Sequence, residues 1–337
     1  MDKILFGNTG DLVSQYCLGC MLMGTQTPQT DSYAILDRFI SNGGNYLDTA
    51  NCYAWWLNPD SAGDESETLL GQWMKDRRNR QNIFLATKGG ARLTDPRGVR
   101  NSQGEIDWSK VPHTYERLSP GVIQNAAENS LRRLQTDTID LYYVHIDDFV
   151  TPLEEILGAL NELVIQGKIR HIACSNWRTW RLERALGISK NKGWAPFVGI
   201  QQQYSYLRPK AGADFGVGVN VDDELLHYLR FNPDVTLMAY SPLLKGIYDD
   251  AIKREAYYGW NLFNNDDACA RLAVLSDMAE QLGVTNSELV YAWLLHHQPR
   301  VIPIIGARTL EQFDVAMNAL KVQLTDEQMS ILNSASV

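Results

Sequence analysis

Short apolar runs and longer amphipathic stretches alternate along the chain. The runs are Tyr16–Gly19, Asn45–Asp48, Ile83–Thr87, Ile139–Val144, Ile169–Cys174, Phe197–Ile200, Val235–Ala239 and Val301–Ile305. They do not alternate apolar with polar residues, which predicts strands covered on both faces. Between them, apolar residues recur three and four positions apart. Ser32–Asn42 sets Ile35, Leu36, Phe39 and Ile40 on one face and stops at Gly43-Gly44. Ser66–Arg78 groups Leu69, Leu70, Trp73 and Met74, and Gly121–Leu134 follows Ser119-Pro120, an N-cap and first-turn pair. Pro152–Gln166, Trp177–Leu186, Asp222–Arg230, Ala268–Leu282 and Thr309–Leu320 continue the series. Eight strand–helix alternations predict a (β/α)8 TIM barrel occupying all 337 residues as a single domain.

Three features stand outside the repeat. Ile4–Phe6 and Asp11–Ser14 flank Gly7-Asn8-Thr9-Gly10, which predicts a hairpin capping the barrel. Two connections, 89–118 and 244–267, are long and follow strands, so they belong to the C-terminal face, where barrel loops carry specificity. A last helix, Asp326–Ser334, begins with Thr325 as N-cap and Gln328 at the capping-box position.

Composition narrows the function. With 31 basic and 40 acidic residues the net charge is −9, which argues against a general nucleic-acid or membrane-surface partner. Apolar stretches are too short for a spanning helix or a signal peptide, so a soluble cytoplasmic protein is expected. Five cysteines form no disulfide framework, and Cys17-Leu18-Gly19-Cys20 falls on a strand rather than at a helix start, against zinc or redox use. No metal is expected. The dinucleotide fingerprint Gly-x-Gly-x-x-Gly is absent. His296-His297 ends a helical stretch and is expected to serve its dipole.

Candidate chemistry gathers at the strand ends: Asp48, Lys88, His145, Ser175-Asn176, Gln201, Tyr240-Ser241 and Gly306-Ala307-Arg308. In a barrel these converge on one face. Tyr53, five residues after Asp48, is the candidate acid for carbonyl reduction. A phenol titrates near about 10. A neighbouring Lys88 ammonium is expected to lower that value, with Asp48 orienting the lysine. His145 can donate to a carbonyl oxygen.

These segments resemble the aldo-keto reductase family. The resemblance rests on Tyr46-Leu47-Asp48-Thr49-Ala50-Asn51-Cys52-Tyr53, Gly63-Asp64-Glu65-Ser66-Glu67 and Ala86-Thr87-Lys88. It continues through Ile139–His145, Gly167–Asn176, Ala239–Leu243 and Gly306–Gln312. It implies an oxidoreductase with Asp48, Tyr53, Lys88 and His145 as the catalytic set. It implies a nicotinamide cofactor held by Gly19, Cys20, Met21, Asp48, Ser175, Asn176, Gln201, Tyr240, Ser241, Pro242, Leu243, Gly246, Ile305, Gly306, Ala307, Arg308 and Gln312. Arg308 can pair with a 2′-phosphate, which favours NADPH over NADH. The chain departs from the usual pattern at Cys20, Gly306, Val315 and Ala316.

For the substrate, Tyr53, His145, Trp55, Trp56, Trp177 and Trp260 are expected to form the pocket. Flat apolar rings suit a sugar-derived or other small polar carbonyl. Two other readings stay open: a cofactor-bound sensor or accessory subunit of the same fold, and an aldolase forming a Schiff base on Lys88. A homo-oligomer is compatible with the sequence.

Overall fold

The computed structural model describes residues 1–336. Lys3–Leu5 (β1) and Leu12–Ser14 (β2) pair antiparallel as the expected hairpin. Eight strands then close a parallel barrel. They are Cys17–Gly19 (β3), Tyr46–Asp48 (β4), Phe84–Gly89 (β5), Ile139–Val144 (β6), Ile169–Ser175 (β7), Phe197–Gln203 (β8), Thr236–Tyr240 (β9) and Val301–Ile305 (β10). They pair in chain order and β10 closes onto β3. All residues of β5 and β6 are buried, as an unalternating apolar run requires.

The helices are Gln29–Ser41 (α1), Glu65–Arg77 (α2), Pro120–Leu134 (α3), Leu153–Ile165 (α4), Thr179–Lys192 (α5), Asp223–Phe231 (α6), Ala251–Ala256 (α7), Asp266–Leu282 (α8), Asn286–Leu295 (α9), Leu310–Ala319 (α10) and Asp326–Ser334 (α11). In α4, Leu153, Ile156, Leu157, Leu160 and Leu163 line the buried face at helical spacing. The capping box of α11 forms as expected from Thr325 and Gln328. Ser119 takes the N-cap position of α3, but its hydroxyl makes no capping bond. Helix α5 starts two residues after Trp177 and runs on to Lys192, beyond the expected Leu186.

The core has two layers. Outside the barrel, apolar strand residues pack under the helices. Inside, Cys17, Tyr46, Phe84, Leu141, Tyr143, Val198, Met238 and Ile302 fill the lumen. Phe6, from the hairpin, belongs to this inner layer and is fully buried. Its ring meets Tyr46 edge-on at 5.9 Å and Phe84 at 5.3 Å, so the hairpin plugs the N-terminal end. The next residue, Gly7, has φ +51°, and a Cβ there would lie 2.4 Å from the Asp234 carbonyl oxygen. Only glycine permits that approach. Asp11 fastens the plug by accepting from Arg170 at 2.6 Å and pairing with His171 at 2.8 Å.

His297 differs from its expected role at a helix end. It is buried, Nδ1 faces the Pro299 carbonyl at 3.2 Å, and Nε2 faces Tyr204 Oη at 2.8 Å. A backbone carbonyl only accepts, so the proton sits on Nδ1 and the phenol donates to Nε2. Burial holds this imidazole below the ordinary histidine value, so it is a neutral core group rather than a cation serving the helix dipole.

The plug carries a stability prediction. Phe6→Ala empties the lumen floor and is expected to cost about 3–5 kcal/mol, read as a lowered denaturation midpoint. An unchanged midpoint would show that the hairpin is dispensable to the barrel.

Candidate active site

Parallel strands of one hand all end at the same mouth, and the barrel brings the strand-end residues together there. Asp48 ends β4, and Lys88 stands one residue before the end of β5. Both are buried. Lys88 Nζ pairs with Asp48 Oδ1 and donates to the Thr49 carbonyl at 2.9 Å and to Tyr53 Oη at 2.7 Å. All three donors of the ammonium are thus occupied. The second Asp48 oxygen accepts from Gln201 Nε2 at 2.9 Å.

Tyr53 lies in the turn after β4. That turn is held on several sides. Asn51 N donates to the Lys88 carbonyl at 3.0 Å. Glu116, at the end of the 89–118 loop, accepts from Asn51 Nδ2 at 3.1 Å and Gly90 N at 2.9 Å. Arg92 donates to the Asn51 carbonyl at 2.9 Å and pairs with Asp64. Gly63, at φ +96°, lies so close that a Cβ would stand 2.3 Å from the Cys52 carbonyl carbon. The Tyr53 and His145 rings meet edge to face at 5.6 Å, and Cys52 Sγ is 3.6 Å from His145 Nδ1.

Burial dominates the electrostatics. It pushes the Asp48 carboxyl up despite Lys88. Desolvation, aided by Lys88, holds the His145 imidazole well below the usual range, so it is neutral. The expected lowering of Tyr53 by Lys88 is reversed. Burial raises the phenol well above its ordinary value, and the Asp48 carboxylate beside the same lysine raises it further. Tyr53 keeps its proton at neutral pH.

Beyond this cluster, Ser175 Oγ donates to the Gln201 carbonyl at 2.9 Å. Asn176, at φ +60°, donates to the His145 carbonyl at 3.0 Å and accepts from Tyr240 Oη at 2.8 Å. After β9, Ser241, Leu244, Lys245 and Gly246 all have positive φ, a concentration of strain that marks a built loop. Pro242 is buried beneath it, and Leu243 is half-buried. The field of Arg308 adds to partial desolvation in lowering the Lys245 ammonium. Among the described residues neither cation has a carboxylate partner. Two cations without a carboxylate partner among the described residues, at or beside a strained loop, fit an anionic dinucleotide.

Other expected contacts are placed differently. Cys20 is fully buried, with Sγ 3.5 Å from the Leu18 carbonyl, and Gly19 packs against Ile304. Met21 is half-buried, Ile305 is buried, and Gly306, Ala307 and Arg308 run outward from β10. Gln312 spends its carbonyl on the Arg308 N–H at 2.9 Å, bracing the start of α10. Trp177 does not line the mouth. It is fully buried, edge-on to Phe197 at 5.3 Å. Trp260 packs in the outer core, and Trp55 is buried in a small cluster with Leu93, Val99 and Val111. Trp56 is half-buried, and Trp108, 62% exposed, leans on Trp55 at 6.0 Å. The sequence reading missed Tyr115, which joins the clusters around Cys52 and Trp55, and also Lys245 and Glu116. Among the described residues no helix is long and apolar enough to cross a membrane, and no group of His, Cys, Asp and Glu could hold a metal.

Fold and site together define a (β/α)8-barrel oxidoreductase. The model of the Aldo/keto reductase family matches residues 16–337. The chain is 30% identical to an uncharacterized oxidoreductase, YrpG, of Bacillus subtilis, over 99% of this chain and 95% of that protein. It is 32% identical to norsolorinic acid reductase stcV of Emericella nidulans, over 97% and 79%. An aryl-alcohol dehydrogenase [NADP(+)] of Phanerodontia chrysosporium is 26% identical over 92% and 77%. The crystal structure of a thermostable aldo-keto reductase, Tm1743, with the inhibitor epalrestat superimposes with TM-score 0.72 at 28% identity, covering both chains fully. The chain belongs to the aldo/keto reductase family.

The two depressed histidines set a pH dependence. A group whose folded pKa lies below its unfolded value, about 6.5 for histidine, stabilises the fold above that pH and loses the contribution as pH falls below it. The melting temperature is therefore expected to drop from about pH 7.5 to about pH 5.5, across the histidine range. The drop should be shallower in His297→Gln. Parallel curves would mean that His297 titrates alike in both states.

Proposed function

We propose that the protein reduces an aldehyde or ketone to an alcohol with NADPH, Tyr53 being the proton donor. The observation that carries this reading is the chain Asp48–Lys88–Tyr53, in which a buried ion pair donates to the tyrosine, with His145 beside it. A nicotinamide dinucleotide, when bound, supplies the hydride that the carbonyl carbon accepts. The carbonyl oxygen then gains negative charge. His145, neutral, donates a hydrogen bond to that oxygen and orients it. Tyr53 transfers its phenolic proton to the same oxygen, and the Lys88 ammonium, already donating to Oη, stabilises the phenolate left behind. Asp48 balances the lysine, so the charge of the buried cluster changes only when the proton moves.

On the cofactor side, Asn176, Ser175 and Gln201 offer amide and hydroxyl groups for a carboxamide. Tyr240, tethered by Asn176, offers a ring face to the nicotinamide. Gly19, Cys20 and Met21 form the floor through their backbone. Ser241, Pro242, Leu243 and Gly246 accompany the pyrophosphate, with Lys245 as its cation. Ile305, Gly306, Ala307, Arg308 and Gln312 serve the adenosine end. The NADP(+) in the name of the fungal relative supports the choice of dinucleotide. Tyr53, Trp56, Tyr115 and His145 wall the substrate, with Trp108 at the rim. These flat rings support a sugar-derived or other small polar carbonyl. We place this chemistry in the cytoplasm, on a diffusible small molecule.

Tyr53→Phe is expected to lower kcat by about 10²–10⁴-fold, the range for losing a general acid. The NADPH dissociation constant, read by fluorescence titration, should stay unchanged. Retained turnover would remove Tyr53 from the reaction, and NADPH binding without turnover on any carbonyl would overturn the enzyme reading. Arg308→Ala is expected to weaken NADPH about tenfold, about 1.4 kcal/mol, and to leave NADH unaffected. Equal losses for both would show that Arg308 does not read the 2′-phosphate. In a panel of polar and aryl aldehydes the higher kcat/KM is expected on the polar members, and the reverse order would sink that part of the proposal.

A further inference from the structure

The cysteine beside the proton donor has no part in the reaction as described, yet it is the only side chain among the described residues hydrogen-bonded to the His145 ring. We propose that Cys52 is a positioning residue for His145: its thiol donates to Nδ1 and so keeps the imidazole proton on Nε2. This inference rests on the carbonyl-reduction reading, in which His145 must present an N–H to the substrate oxygen.

The geometry leaves little choice of partner. The His145 backbone is fixed by its N–H to the Gly89 carbonyl at 2.9 Å and by its carbonyl accepting from Asn176. The ring meets Tyr53 in a T-shaped contact at 5.6 Å. Among the described residues only Nδ1 meets a polar side-chain atom, Cys52 Sγ at 3.6 Å, a normal distance for a bond involving sulfur. A neutral imidazole carries one proton, so the occupant of Nδ1 decides which nitrogen is left to donate. If Nδ1 bore the proton, Nε2 would present a lone pair to the carbonyl oxygen and repel it.

The thiol is kept as a donor. Burial and the nearby Glu116 carboxylate push it up to about 12, so it retains its proton. The imidazole lone pair is a better acceptor than thiol sulfur, which is weak in that role. Cys52 is also held firmly. Gly63 presses on its backbone, and Asn51 before it is tied to Glu116. Proton donor and tautomer setter are thus successive residues of one clamped turn.

The test is long-range ¹H–¹⁵N correlation NMR of the cofactor-free protein near pH 8, with His145 assigned through a His145→Gln spectrum. Wild type should show His145 protonated on Nε2 alone. Cys52→Ala should show both tautomers, and Cys52→Ser, which restores a hydroxyl donor, should return the single one. In parallel, kcat of Cys52→Ala should fall about three- to tenfold, less than the ~10²–10³ of deleting an oxyanion donor outright. NADPH affinity should be unchanged, and serine should rescue kcat. A proton on Nδ1 in wild type, or a tautomer unaltered in Cys52→Ala, overturns the proposal even if turnover stands. Absence of turnover in wild type, with the expected tautomers, overturns the reduction reading instead.

Discussion

The pairing of Lys88 with Asp48 is the constraint to which the rest of the mouth answers. An ammonium taken fully out of water costs several kcal/mol unless its charge and its donors are met. Here Asp48, the Thr49 carbonyl and Tyr53 Oη meet all three. Each partner comes from β4 or the turn following it, so the lysine of β5 dictates where that turn must lie. Gln201 takes the other carboxylate oxygen from across the lumen and ties β8 into the same set. Removing either Asp48 or Lys88 would leave a buried charge uncompensated, a loss of about 3–5 kcal/mol. Asp48 and Lys88 are therefore at once structural and electrostatic parts of the site, and Tyr53 is placed by the same bond that stabilises its deprotonated form.

The barrel was legible because its signals are redundant. Eight buried strands leave apolar runs without alternation, and their C-terminal ends lie on one face whatever the loops do, so Asp48, Lys88, His145, Ser175 and Gln201 could be gathered from spacing alone. Elements lacking a period were harder. Helix α9 is buried on almost every side, from Leu289 to Leu294, and shows no amphipathic face. Trp177 follows Asn176, whose left-handed backbone turns the chain, and the ring ends under the barrel wall rather than at its mouth. Lys245 belongs to no pattern. Arg308 comes near it only because β9 and β10 are neighbours in the closed sheet.

The sign of the Tyr53 shift was not legible for a related reason. Sequence shows which charges are present but not how much water reaches them. Beside an exposed lysine a phenol is lowered. At the barrel mouth, burial acts on the phenol directly and the Asp48 carboxylate raises it further. Desolvation, with the Lys88 field, likewise makes His145 neutral. The turn that carries Tyr53 is itself clamped by groups outside the proposed reaction: Glu116, Arg92, Asp64 and Gly63. Arg133 extends it by bridging Asp64 and Glu67.

These shifts suit the proposed reaction better than the expected ones. Tyr53 with a lowered pKa would stand partly as phenolate at neutral pH and would have no proton to give in that fraction. A protonated His145 would add a second cation beside Lys88. The observed cluster instead holds one balanced ion pair and two neutral donors. In the proposed reaction, charge appears only as the carbonyl oxygen becomes negative, and it would then meet a proton on Tyr53, an N–H on His145 and an ammonium already bonded to the departing phenolate. Fixed donors aimed at a charge that exists only during reaction favour the transition state over the ground state. The raised phenol is the consequence of burial, and in the proposed reaction the Lys88 ammonium compensates as the proton leaves.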